Sequence, residues 1–221
     1  MPYNSTNMPP IQATSGKNVV VAMDLRKIKE KFKASDGILR TSDFTVLKID
    51  YRGIQKLIAN GIVEKIRSGY YRLVEAENAK SEAVLIANLF PDGVLCMNSA
   101  LFYYRYSDRT PLDWDIAINK NTSKSRFKID YPYVKPYYVE PELLSIGVTT
   151  AEYEDCTMQI YNKDRLICEC LKYENKIDKE TFNKAIQAYI DDPKKNISKL
   201  LEYAKLRKVT KKVHDIIGVW L

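Results

Sequence analysis

Residues 61–74 read Gly-Ile-Val-Glu-Lys-Ile-Arg-Ser-Gly-Tyr-Tyr-Arg-Leu-Val, GIVEKIRSGYYRLV. Two short runs with alternating apolar residues flank a basic turn, Arg67-Ser68-Gly69. Alternation of period two is the pattern of a strand with one face buried. Gly69 supplies the positive φ that a tight hairpin turn demands. Asn60-Gly61, just before, is a helix-ending signal. The stretch is therefore a basic-tipped hairpin entered directly from a helix, and what precedes it determines what the hairpin serves.

Upstream, Leu25, Ile28 and Phe32 fall at helical spacing within Met23–Ala34, and Ser35-Asp36-Gly37 ends that helix. A second short helix fits Thr41–Leu47, with Thr41 or Ser42 as its cap and Phe44 and Leu47 facing inward. After a turn through Lys48-Ile49, Asp50 caps a third helix that runs to Asn60. Its apolar stripe is Tyr51, Ile54, Leu57 and Ile58; Arg52, Gln55, Lys56 and Ala59 occupy the opposite face. Helix, helix, turn, helix and basic hairpin in about 50 residues is the plan of a winged helix-turn-helix, in which the third helix enters a major groove. DNA contacts are expected from Arg40, Lys48, Arg52, Gln55, Lys56, Lys65, Arg67 and Ser68. Small modules of this plan also serve as protein-interaction adaptors, which keeps a second reading open.

The charge distribution agrees with a polyanionic partner. The chain has 221 residues and a net charge of +7. Residues 17–75 carry 13 basic against 7 acidic side chains, residues 76–162 carry 8 against 12, and residues 163–221 carry 14 against 9. Two basic ends flank an acidic middle. Residues 1–16 are uncharged and rich in Asn, Ser, Thr and Pro, a composition that predicts a disordered tail. Met1–Asn7 lacks the apolar core of a secretory leader and no membrane-length apolar run follows, so the expected compartment is the cytoplasm. Cys96, Cys156, Cys168 and Cys170 include no C-x-x-C pair, and His214 is the single histidine. Reduced thiols, no metal and no cofactor are the expectation.

Beyond the hairpin, residues 76–221 are expected to form a second domain. A helix is predicted over Ala76–Asp92 and another over Ser99–Tyr106. Strands are predicted at Trp114–Ile118, Phe127–Tyr133, Tyr137–Glu140, Ile146–Tyr153 and Cys156–Tyr161. Four helices follow, at Lys163–Tyr173, Lys179–Ile190, Ile197–Leu206 and Val209–Trp220, with Asp178 and Asn196 as caps. The third of these carries the stripe Ile197, Leu200, Leu201 and Ala204. The class is thus α+β: a winged helix-turn-helix at 17–75, followed by one domain at 76–221 with a mixed sheet over 76–162 and a helical bundle over 163–221. Lys205, Arg207, Lys208, Lys211 and Lys212 are expected to form a second basic patch.

One motif points toward catalysis. Asn98-Ser99 followed by Asp113-Trp114-Asp115 resembles a nucleotidyltransferase signature, in which two carboxylates on one strand face hold Mg²⁺. Asn98 stands where that motif needs glycine, and Ser99 is equally a helix cap, so an enzyme using Asp113 and Asp115 is the lesser alternative. The sequence has no Walker loop, G-x-S-x-G or H-E-x-x-H.

Three stretches together resemble the AbiEi antitoxin family of type IV toxin–antitoxin and abortive-infection systems. They are Leu57–Gly61 with Arg67–Leu73; Ser99-Ala100-Leu101 with Tyr106–Pro111; and Asp164–Glu169, Ala185–Tyr189, Leu200–Ala204 and Val209. The resemblance spans about residues 20–221. It implies a non-catalytic autorepressor that binds inverted repeats in its own promoter. It also implies neutralisation of a nucleotidyltransferase toxin without a required stable complex. A monomer in solution with cooperative binding on DNA is the implied state.

Overall fold

A computed structural model describes residues 25–74, 81–153 and 156–218. The tail at 1–16, the expected helix start at Met23 and the stretch 75–80 lie outside the described residues. The fold is mixed α+β, with two hydrophobic cores.

The first core is built from α1 (Leu25–Ala34), β1 (Ile38–Arg40), α2 (Thr41–Val46), α3 (Tyr51–Ala59), β2 (Val63–Arg67) and β3 (Tyr70–Leu73). Ile28 and Phe32 of α1 meet Leu39, Phe44, Ile54, Leu57, Val63 and Tyr71. Phe44 sits edge-on to both Phe32 and Tyr71, with centroids 6.0 and 5.4 Å away. Asp36 and Gly37 turn the chain out of α1 with positive φ. The hairpin was expected; its third strand was not. β1 pairs with β3, giving the antiparallel order β1-β3-β2. Three residues are too few for alternation to register, so β1 left no pattern in the sequence.

The second core is organised by a five-stranded sheet of order β6-β5-β4-β8-β7. Its strands are β4 (Val94–Leu95), β5 (Trp114–Asn119), β6 (Val134–Val139), β7 (Val148–Tyr153) and β8 (Cys156–Tyr161). β5 is parallel to β6 and β4 to β8, while β4–β5 and β7–β8 are antiparallel. Pro136 lies on edge strand β6, where a missing N–H is tolerated. Helices α4 (Glu82–Leu89), α5 (Met97–Tyr103), α6 (Pro141–Leu144), α7 (Lys163–Lys172), α8 (Lys179–Asp191), α9 (Ile197–Arg207) and α10 (Thr210–Ile216) complete it. Asp178 and Asn196 cap α8 and α9 as expected, accepting from Thr181 N–H at 2.9 Å and Lys199 N–H at 3.0 Å.

Three expectations are corrected. Phe127–Tyr133 is not a strand: residues 124–127 form a 3₁₀ turn, and Phe127 stacks flat on Phe90 with centroids 5.1 Å apart. Its aromatic spacing serves packing against the end of α4, and Pro132 has no N–H to give a ladder. Leu201 is exposed, not part of the α9 stripe. The spacing of Leu166, Ile167, Cys170 and Leu171 predicts one apolar stripe on α7, but the helix is buried all round, from Asp164 through Leu171.

That burial encloses charge. Arg165 Nε donates to Glu169 Oε1 at 2.7 Å, and Arg207 of α9 donates to Glu169 Oε2 at 2.7 Å, with all three side chains at most 2% exposed. Gly147 permits this approach, because a Cβ there would lie 2.6 Å from Arg165 Cβ.

Candidate nucleic-acid interface

The interface begins at Asp50. Its carboxylate accepts from Gly53 N–H at 2.8 Å and caps α3. Lys48, at positive φ, turns the chain between α2 and α3, and Ile49 N–H donates back to Phe44 O at 2.8 Å. At about 100° per residue, Gly53, Ile54, Leu57 and Ile58 fall on one side of α3; the first three are buried and Ile58 is partly so. Tyr51, Arg52, Gln55, Lys56 and Ala59 fall on the other and are exposed. The expected outward trio of Arg52, Gln55 and Lys56 is therefore together on one helix face.

Tyr51 departs from its expected place. It was assigned to the apolar stripe, yet it is 68% exposed. Val46, at the end of α2, is 75% exposed. An amphipathic ring and a branched aliphatic side chain thus stand in solvent around the α2–α3 turn, beside cationic and amide donors.

The hairpin is tied to α2 by its tip, since Thr41 N–H donates to Gly69 O at 3.0 Å. Ser68 and Gly69, at φ 80°, make the turn, and Ser68 and Lys65 are exposed. Arg40 is exposed at the end of β1, with its guanidinium 5.5 Å from the Tyr70 ring centroid.

Arg67 is placed differently from the expected hairpin tip. It closes β2 after a register shift between Lys65 and Arg67 and is partly buried. Its guanidinium lies 3.9 Å over Tyr70 and donates to Leu89 O at 2.9 Å. Burial pushes its pKa down from the ordinary arginine value.

The second basic patch loses two members. Arg207 is buried against Glu169, and Lys212 donates to Leu171 O at 2.8 Å and pairs with Glu174 at 2.5 Å. Lys205, Lys208 and Lys211 remain exposed. Arg207 follows Leu200 and Ala204 by seven and three residues, which is core spacing, so a signal for its burial was present.

The Asn98-Ser99 and Asp113–Asp115 stretches meet as a clasp between α5 and β5. Asp115 is 1% exposed, and its Oδ2 accepts from Asn98 N–H at 2.8 Å. Ser99 Oγ accepts from Asp115 N–H at 2.9 Å and donates to Asp113 O at 3.4 Å. Burial pushes the Asp115 carboxyl up to about 6. Asp113 is exposed just before β5, not beside Asp115 in the core. Among the described residues no group of three or more His, Cys, Asp or Glu is placed to hold a metal ion. Nor does any described helix have the length and apolarity to cross a membrane.

No protein-family model matches the chain, and no curated protein is significantly similar to it.

Proposed function

We propose that residues 25–74 act as a winged helix-turn-helix and that the chain is a DNA-binding autorepressor and antitoxin of a type IV toxin–antitoxin operon. The observation that carries the DNA-binding reading is the two-sided α3. Ile54 and Leu57 hold it in the core while Arg52, Gln55 and Lys56 stand outward behind a capped N-terminus. Arg and Lys donors suit guanine O6 and N7 or phosphate, and the Gln amide suits adenine N6 and N7. Ser68 and Lys65 on the hairpin, with Arg40 and Lys48, supply backbone contacts. The antitoxin part rests on the three stretches that resemble the AbiEi family. In this reading the protein is a cytoplasmic, non-catalytic monomer that binds promoter inverted repeats and counteracts a nucleotidyltransferase-like toxin.

The test is fluorescence anisotropy with the upstream inverted repeat and a scrambled duplex across a salt series. Preference for the repeat, with affinity falling steeply as salt rises, supports the reading. Equal binding of both duplexes, or none at low salt, overturns it. For the antitoxin part, co-expression should restore growth to cells producing the neighbouring toxin; continued arrest refutes that part alone.

A further inference from the structure

Where the hairpin meets the second core, guanidinium groups and aromatic rings alternate. Arg40 lies 5.5 Å from the Tyr70 centroid and Arg67 3.9 Å from the same ring. Arg67 is also 5.5 Å from the Phe90 centroid, and Arg126 is 5.1 Å from it. Arg67 and Arg126 both donate to Leu89 O, at 2.9 and 3.1 Å. That carbonyl ends α4, where the helix presents unsatisfied acceptors and partial negative charge. Arg126 also pairs with Asp92, donating to Oδ2 at 2.7 Å.

Charge is not balanced at this joint. Arg126 and Arg40 act on Arg67 with like sign, opposed by Tyr70 and the Asp92 carboxylate. Arg67 Nε is buried and has no hydrogen-bond partner among the described residues. Arg126 keeps 21% of its side chain in solvent and Arg40 is exposed, so the row opens to the surface. Lys124 and Lys128, on either side of Arg126, are exposed as well, within a segment that is acidic overall. Like charges gathered on aromatic faces and one carbonyl are best satisfied by an added oxyanion.

We propose that Arg40, Arg67 and Arg126 form a phosphate-binding seam at this joint, and that its phosphate belongs to the DNA backbone. The proposal rests on the DNA-binding reading and extends it, because Arg126 belongs to the second core. DNA contact would then run from the hairpin onto the sheet domain and couple the two.

The full-length chain tests this with Arg126→Gln and Asp92→Asn, read as the slope of log K against log salt on the repeat duplex. Arg126→Gln should lower the slope by about 1. Asp92→Asn should strengthen binding at low salt, with the gain vanishing at high salt. Opposite responses separate a phosphate site from a joint that only holds the fold, since damage to the joint weakens binding in both variants and overturns the proposal. A second arm compares thermal midpoints in inorganic phosphate and chloride at matched ionic strength. A phosphate-specific rise in wild type that Arg126→Gln abolishes, with an unchanged DNA slope, supports the seam with free phosphate as its source. No slope change and no phosphate effect overturns it. If wild type binds no DNA, the DNA-binding reading fails, and the phosphate arm alone decides the seam.

Discussion

Glu169 is one carboxylate between two buried guanidiniums, Arg165 and Arg207, so its removal leaves two cations without a counter-charge in the core. Breaking such a set from one side costs far more than the set itself contributes. Glu169→Gln should destabilise the fold by about 3–5 kcal/mol, measured by urea unfolding; a loss below about 1 kcal/mol would show that water reaches the cluster. Asp115 has the opposite sign. Its folded carboxyl is pushed up to about 6, above its unfolded value near 3.9. The stabilisation is full below the unfolded value and is lost as pH rises through about 6. Asp115→Asn cannot ionise yet still offers an oxygen to Asn98 N–H. Its stability relative to wild type should therefore improve by about 3 kcal/mol at most between pH 4 and 7. A pH-independent difference would show that Asp115 titrates normally.

On α3 the Asp50 cap and the exposed Tyr51 separate stability from binding. Asp50→Ala removes the acceptor of Gly53 N–H and should cost about 1 kcal/mol of stability, together with weaker DNA binding. Tyr51→Ala should leave stability within about 0.5 kcal/mol, because the ring stands in solvent, while reducing affinity for the repeat. A large stability loss would return Tyr51 to the core stripe. Arg52→Ala should cost about 1–3 kcal/mol of specific binding. Capping side chains and 3.6-residue spacing are local signals legible in the sequence, and Asp50, Asp178 and Asn196 act where expected; Thr41 and Ser42 do not cap α2, which starts at Thr41 after Arg40, nor does Ser99 cap α5, which starts at Met97 after Cys96. Tyr51 was misplaced because periodicity marks the edge of a stripe only to within one residue, and Tyr is at home on either side of it. β1 and β4, three and two residues long, are defined by their partners and not by their own pattern.

At the scale of the molecule, long-range burial decides which charges are available, and spacing along the chain does not report it. The basic run at 205–212 reads as one patch, yet Arg207 is a core pillar and Lys212 is occupied by Leu171 O and Glu174. Arg67 likewise reads as a hairpin tip and is drawn to Leu89 O, 22 residues away. The remaining patch is Lys205, Lys208 and Lys211, all exposed near the α9–α10 turn, where Lys208 takes a left-handed conformation. If this surface supports cooperative binding, its charges act between chains on DNA or on flanking phosphates, not in the grip of α3 on one repeat. Replacing Lys205, Lys208 and Lys211 together with Gln should preserve folding, because none is buried. Affinity for a duplex with one half of the repeat should change little, while the cooperative gain on the complete repeat should fall. Arg207→Gln should instead lower the unfolding midpoint, because it removes the guanidinium that donates to Glu169 Oε2 in the core and leaves Arg165 as the remaining partner. Equal loss on the half and complete repeats would assign the three lysines to direct phosphate contact; no loss on either would leave them as solvated charge.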